Sequence, residues 1–293
     1  MNVNSPEVFL KSFNNRILEL LNSTEILDNS EIRKKLQLIY RKLAISEILF
    51  EKYIVSISGL QGVGKTTLIK QIYSIPDEFL PENIGRGEQL PVLITESDTK
   101  EITLNVIRLK EESEQYVTVE ENIEKEEFFK ISKDPNPSDL VLEMKVPNKI
   151  FNSDNKSFLL LPGFEDTKNE REDLVYHSLI SSATCLFVFN ATGFASKSNS
   201  NILEEINVNF ENAKPIFLAT FSDESKDENE GLKKDLIETF KLQNEEDRVI
   251  CVGTGKYKDT DKRRIDDWLP KLEQSLSKYS HTSAQFRKSQ MEN

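Results

Sequence analysis

Eight consecutive residues, Gly59-Leu60-Gln61-Gly62-Val63-Gly64-Lys65-Thr66, follow the spacing GxxxxGK[ST]. Such a loop wraps a phosphate. Its glycines let backbone N–H groups converge, a helix starting at Lys65 adds the partial positive charge of its N-terminus, Lys65 reaches the terminal phosphates and the Thr66 hydroxyl ligates Mg²⁺. The context agrees with the spelling, because Tyr53 to Ser58 reads as a strand and the residues after Lys65 as a helix. The candidate phosphate site is therefore Gly59, Gln61, Gly62, Val63, Gly64, Lys65, Thr66 and Thr67, with Thr66 as the metal residue. A plain glycine-rich turn is the competing reading, and a chain with only 10 glycines in 293 residues makes a chance match rare.

The base is addressed further on. Phe217 to Thr220 is apolar and strand-like, and it runs into Thr220-Phe221-Ser222-Asp223. This Thr-x-x-Asp resembles the guanine-recognition motif [NT]KxD of GTPases. A carboxylate at Asp223 accepts hydrogen bonds from the guanine N1–H and 2-amino group, which adenine does not offer in that arrangement. Phe221 stands where the motif has lysine, so its ring would cover the base without the lysine charge. Many strands end in Thr-x-x-Asp merely to cap the next helix, and that alternative stays open. Gly253 and Thr254, in the run Val252-Gly253-Thr254-Gly255, are placed like the last base-contacting loop, or like an ordinary turn.

Strands alternating with helices must position these loops. Beyond Tyr53 to Ser58, strand patterns fall at Val92 to Thr95, Ile102 to Leu109, Leu140 to Val146, Phe158 to Leu161, Cys185 to Phe189, Ile216 to Thr220 and Val249 to Val252. Helical patterns occupy Glu170 to Ser182, Ser200 to Asn212 and Gly231 to Gln243, as a mainly parallel sheet with helices on both faces requires. Two amphipathic helices precede the first strand, one from Ser5-Pro6-Glu7 with Phe9, Phe13, Ile17 and Leu20. The other has an inner face of Ile32, Leu36, Ile39, Leu43 and Ile48. A last helix spans about Arg263 to Tyr279, with Pro270 expected to kink it. The fold class expected is α/β, a P-loop NTPase of GTPase-like, three-layer build. The chain then divides into an N-terminal helical segment (1–51), a GTPase domain (52–258) and a C-terminal helix and tail (259–293).

Charge and composition narrow the partners. With 50 Asp and Glu against 38 Lys and Arg, the net charge of −12 argues against a general nucleic-acid partner. Hydrophobic residues at 37% and charged residues at 30% suit a globular core and not a multi-span membrane protein. The most apolar window, Ala183 to Phe194, falls short of the ~20 residues that span a bilayer. No secretory signal is legible, and Cys185 and Cys251 lie in apolar runs as buried thiols. A cytoplasmic chain, peripheral to a membrane at most, is expected.

Taken together, residues 53 to 254 resemble the dynamin-like large GTPases. The likeness rests on Gln61 at the third loop position, on Phe79-Leu80-Pro81 and Arg86-Gly87 in a first switch, and on an acidic, partly helical insert. It continues with a strand ending at Pro147, a hairpin, Leu160-Leu161-Pro162-Gly163 and then Thr220-x-x-Asp223. The resemblance implies GTP or GDP as ligand with Mg²⁺, Gln61 positioning water, the backbone of Gly62 and the Lys65 ammonium on phosphate, and Gly163 leading into a second switch at 164–173. It also implies a homodimer across the nucleotide face, a membrane or stalk partner, and a small bundle of the flanking helices.

Two departures touch catalysis. Leu160 replaces the family's metal-shell Asp, and no threonine stands between Glu82 and Pro91. Thr95, the nearest, falls in a strand; Glu88, Glu165 and Asp166 are acids that suit Mg²⁺. The expectation is GTP binding with slow or partner-dependent hydrolysis. The alternatives are a nucleotide-binding pseudo-GTPase without useful turnover and, less well supported, a P-loop ATPase.

Overall fold

The computed structural model describes residues 12–13, 15–17, 19–20, 30–50, 52–80, 89–112, 115–153, 155–163, 174–175, 177–179, 181–193, 215–222, 229–253 and 268–279. They divide between two compact units, Met1–Ile54, Gly85–Pro162 and Asp166–Ser182 in the first and Val55–Ile84, Gly163–Glu165 and Ala183–Asn293 in the second. The helical pattern read at 200–212 lies outside the described residues.

In the first unit, helix α1 (Ser30–Phe50) turns a different face inward from the one its isoleucines suggest. Tyr40, Ala44, Ile45 and Leu49 are buried, whereas Ile32 and Ile39 remain 45% and 42% exposed. Tyr40 packs on Ile17 with Leu36, Leu43 and Leu109 around them. The inner stripe thus keeps Leu36 and Leu43 of the expected face and adds Tyr40, Ala44, Ile45 and Leu49, while Ile32 and Ile39 fall outside it.

Beside β1 (Tyr53–Ser58), whose first two residues belong to this unit, the first unit holds β2 (Val92–Ser97), β3 (Thr103–Glu112), β4 (Gln115–Asn122), β5 (Asp139–Pro147) and β6 (Lys156–Leu160). Their order is β4-β3-β5-β2-β6. β2 runs parallel to β5, and the β2–β6, β3–β5 and β3–β4 pairs are antiparallel. The acidic insert is thus strand β4 followed by helix α3 (Lys125–Lys133), which buries Phe128 and Ile131; helix α2 (Lys65–Tyr73) belongs to the second unit.

One face of this sheet carries a polar ladder. Glu143, only 2% exposed, accepts from the Lys52 ammonium (3.0 Å), the Thr95 hydroxyl (2.8 Å) and the Asn105 amide (3.3 Å). Asn105 and Lys145 both reach Glu120 at 2.7 Å, and Thr95 also meets Ser157 at 3.1 Å. Burial pushes the Glu143 carboxyl up, but Lys52, the Thr95 hydrogen bond and Lys145 outweigh it and hold the carboxyl below its ordinary value of 4.5. A depressed acid stabilises the fold fully above the unfolded value and loses that contribution as the pH falls through the folded one. Stability is therefore expected to decline on acidification below about pH 4.5, and Glu143→Gln should flatten that decline. The variant should also lose about 2 kcal/mol at pH 7, less than the ~3–5 of a fully buried broken pair, because both lysines keep contact with water. Denaturant melts across pH 3–7 check both effects.

The second unit holds the rest of β1, β7 (Thr184–Asn190), β8 (Ile216–Thr220) and β9 (Val249–Cys251), all parallel in the order β1-β7-β8-β9. With them go α2 (Lys65–Tyr73), α4 (Asn229–Thr239) and a helix α5 at 268–279. Phe217 stacks on Phe240 at 4.5 Å, Phe187 and Phe189 lie beside them, and the Arg248 guanidinium covers the Phe217 ring at 5.4 Å. α5 is tied down through Asp247, which receives Lys278 and the Tyr279 hydroxyl at 2.6 Å each. Pro270 lies in the described part of α5, and the residues 263–267 that the expected helix places before it lie outside the described residues. Burial pushes the Cys185 thiol up to about 12, leaving it inert, whereas Cys251 is only half-buried.

Candidate nucleotide site

β1 delivers the phosphate loop. Ile54, Val55 and Ile57 are buried, and the strand then passes so close to β7 that a Cβ on Gly59 would lie 2.1 Å from the Val188 carbonyl oxygen. Only glycine fits there, and its φ of +148° is one that side-chain-bearing residues rarely adopt. The chain reverses through Gln61 and Gly62, both exposed, buries Val63, and enters α2 with Gly64 as the residue before the helix. α2 buries Leu68, Ile69, Ile72 and Tyr73, which fixes the direction of its axis and hence of its N-terminal N–H groups.

Lys65 is 9% exposed and donates to the carbonyls of Gly59 (3.1 Å) and Leu60 (2.8 Å), so its ammonium lies across the loop at the mouth of α2. Thr66 and Thr67 follow in the first turn, each half-buried. Gly163 is brought to the loop as well: a Cβ on it would stand 2.8 Å from the backbone N and Cα of Gln61. The glycine that ends Leu-Pro-Gly is therefore the wall beside the residue expected to orient water.

The β8 end has a role the motif did not announce. The Thr220 hydroxyl lies 2.6 Å from the carbonyl oxygen of Val63 and 2.9 Å from that of Phe189, so it braces the phosphate loop against two strands. Phe221 has φ +54° and presents its ring edge to Gly64, 3.8 Å from where a Cβ would be. Ser222 is fully buried, its N–H donating to the Val252 carbonyl and the Val252 N–H to Ala219. That exchange holds the Thr220–Ser222 turn beside Gly253, which is buried at the end of β9. The two proposed base loops thus converge on one place. Asp223 and Thr254 lie outside the described residues.

Few of the residues considered as ligands for a metal are placed to hold one. Leu160, the last residue of β6, is 3% exposed in an apolar setting and offers no ligand. Thr95 is buried in the ladder and committed to Glu143 and Ser157. Glu88, Glu165 and Asp166 fall outside the described residues, and among the described residues no group of three His, Cys, Asp or Glu could hold a metal ion. Thr66 at the start of α2 remains. One hydroxyl suits Mg²⁺ that arrives with phosphate oxygens and keeps its waters, and does not suit a metal held by protein alone.

No protein-family model and no curated protein matches this sequence. Solved structures do. Two structures of an oligomerised bacterial dynamin pair align over 92% and 93% of this chain, with TM-scores of 0.54 and 0.50 and sequence identities of 16% and 15%. The fold is dynamin-like. This chain spans less than half of each of those proteins, 43% and 41% of their lengths. A variant of Era from Aquifex aeolicus bound to GDP·AlF4⁻ aligns more loosely, with TM-score 0.41 and 16% identity over 77% of this chain and 56% of Era.

Proposed function

We propose that the chain is a guanine-nucleotide-binding GTPase of the dynamin-like type, with GTP and GDP as ligands and slow or partner-dependent hydrolysis. The observation that carries this reading is the loop itself, where the buried Lys65 crosses the N-terminus of α2 and Gly163 closes on Gln61. Gly59, Gly62, Val63 and Gly64 shape the backbone around the phosphates, and Lys65 and the N–H groups of Thr66 and Thr67 hold them. Gln61 aligns water; Thr220 keeps Val63 in place, while Asp223, Gly253 and Thr254 receive the base. The Thr66 hydroxyl would hold Mg²⁺, which when bound neutralises charge on the β- and γ-phosphates.

Phosphoryl transfer depends on positioning and charge stabilisation, so replacing a metal-shell carboxylate by the buried Leu160 should slow hydrolysis more than it weakens binding. A homodimer formed across the nucleotide face would order the switches. The helical segment 1–51 and the tail 259–293 would flank a GTPase domain at 52–258 and meet a stalk or membrane partner from the cytoplasmic side. Two facts support a peripheral role: the similar bacterial dynamin pair oligomerises and tethers membranes, and no described helix here is long and apolar enough to cross one.

A nucleotide-binding switch without turnover is the second reading, favoured by the apolar packing of Leu160. Comparing GTP with ATP in equilibrium binding tests the function. Asp223→Asn should weaken GTP about tenfold or more while improving xanthosine triphosphate, since one amide cannot accept both guanine donors. Unchanged GTP affinity in that variant removes Asp223 from the base site, and a wild-type preference for ATP defeats the guanine reading.

A further inference from the structure

Two helical stretches of the first unit meet through a pair of side chains that the nucleotide chemistry does not use. The Ser46 hydroxyl of α1 lies 2.7 Å from Nε2 of His177, and the same imidazole makes a backbone hydrogen bond with Lys42, one turn earlier on α1. Ser46, Lys42 and His177 are all half-buried. Both ring contacts thus fall on one turn of a helix 131 residues away in sequence.

His177 belongs to a helical stretch, described at 174–175 and 177–179, whose inner side carries Leu174, Val175, Ser178 and Leu179, with buried Ser182 just beyond. The two serines turn their hydroxyls back onto their own stretch, Ser178 to the Leu174 carbonyl (2.8 Å) and Ser182 to that of Ser178 (2.9 Å). Back-bonding of this kind slightly weakens a helix, so its order depends on what it packs against. The Ser181 N–H donates to the His177 carbonyl and the Ser182 N–H to that of Leu179, each at 3.0 Å.

The ring is poised to stay neutral. Burial lowers its pKa, the Lys42 backbone bond partly restores it, and the Lys42 charge lowers it again, which leaves it below the ordinary 6.5. Around Ser46, α1 carries the charged residues Arg41, Lys42 and Glu47. From the stretch of His177 itself, Leu174 to Ser182, the only other titratable side chain is Tyr176, whose ordinary pKa of about 10 keeps it neutral through the physiological range.

We propose that Ser46 and His177 form a proton-operated latch, which holds the chain after residue 173 on α1 while the imidazole is neutral and releases it when the imidazole is charged. Protonation places a positive charge in a half-buried ring beside Lys42, a cost that is relieved once the ring leaves α1 for water. A depressed histidine supports the closed contact fully above its unfolded value of 6.5, and that support is lost as the pH falls through the folded one. Residues 164–173, directly ahead of the latch, are the second switch on the guanine-nucleotide reading above. An effect on GTP rests on that reading: opening the latch in acid is then expected to change GTP affinity.

Hydrogen exchange at the Ser181 and Ser182 amides tests the latch, measured on the whole chain without nucleotide at about pH 7.5 and about pH 5.5 and corrected for the intrinsic pH dependence. Glu143, held below 4.5, stays ionised across that range. Wild-type exchange should quicken in acid, by at most about tenfold per pH unit, the limit for one proton. His177→Gln, whose amide can still meet Ser46 but does not titrate, should show no such quickening, although it keeps the chain's other histidine, His281. Ser46→Ala should exchange about fivefold faster than wild type already at the higher pH, the equivalent of one ordinary hydrogen bond. Equal wild-type exchange at both pH values, quickening that survives in His177→Gln, or wild-type exchange in Ser46→Ala overturns the latch. GTP titrations of wild type and His177→Gln at the same two pH values read the coupling separately. The same pH dependence in both proteins overturns the coupling, and failure to bind GTP at all defeats the nucleotide reading without touching the exchange result.

Discussion

Lys65→Ala is expected to weaken GTP binding about a hundredfold, the equivalent of one strong charge-assisted hydrogen bond at ~3 kcal/mol. Lys65 is 9% exposed and its ammonium is held between two loop carbonyls, so it is already oriented across the loop at the N-terminus of α2. Alanine removes the charge and leaves the helix N-terminus to hold the phosphates alone. In single-turnover assays the wild type should convert GTP slowly, because Leu160 gives Mg²⁺ no carboxylate, and Lys65→Ala should show no conversion above background. A variant that binds GTP as tightly as wild type would remove the loop from nucleotide binding altogether. Tight binding by the wild type with no conversion, alone or at high protein concentration, would select the switch reading over the GTPase.

A second large effect concerns the fold. Gly59→Ala puts a methyl group 2.1 Å from a backbone oxygen of β7, at a φ of +148°. The two nearest atoms, the carbonyl oxygen and carbon of Val188, are backbone and cannot swing away, so strain and overpacking act together and should cost about 4 kcal/mol. At roughly 2–4 °C per kcal/mol for a domain of this size, melting should fall by about 10 °C. Gly62→Ala is the control. Nothing lies within 4 Å of a Cβ there, so only the backbone conformation at φ +75° is strained, at about 1 kcal/mol. Thermal melts of the two variants side by side separate crowding from conformation, and equal losses would refute the crowding argument.

Much of this was legible because local pattern and tertiary role coincide. Ile216–Thr220 forms a strand over the predicted residues, and the phosphate loop stands between the predicted strand and helix. β4 was hidden by its composition, since Glu120 and Glu121 obscure the alternation of a strand and only the partner β3 supplies the pairing. The inner face of α1 could not be read from its isoleucines, because Tyr40 takes the core through its contact with Ile17, distant in sequence. Thr95 illustrates the same limit. As a letter it was the nearest threonine to the first switch, whereas in the sheet its hydroxyl belongs to Glu143. Thr220 was assigned to the base by its motif, and its bond to Val63 depends on a loop 157 residues away.

β4 is also the outermost strand of its unit, with Glu120 reaching Lys145 on one side and Glu121 reaching Arg108 on the other. A strand from a second molecule added to that edge would bring a second pair of carboxylates against the first. Like charges facing each other across a ladder oppose pairing, and bare edges are where soluble sheets otherwise grow into aggregates. The acidic strand therefore acts as a terminator: it ends the sheet chemically as well as spatially and should protect the protein from fibrous growth, a protection that high salt should weaken.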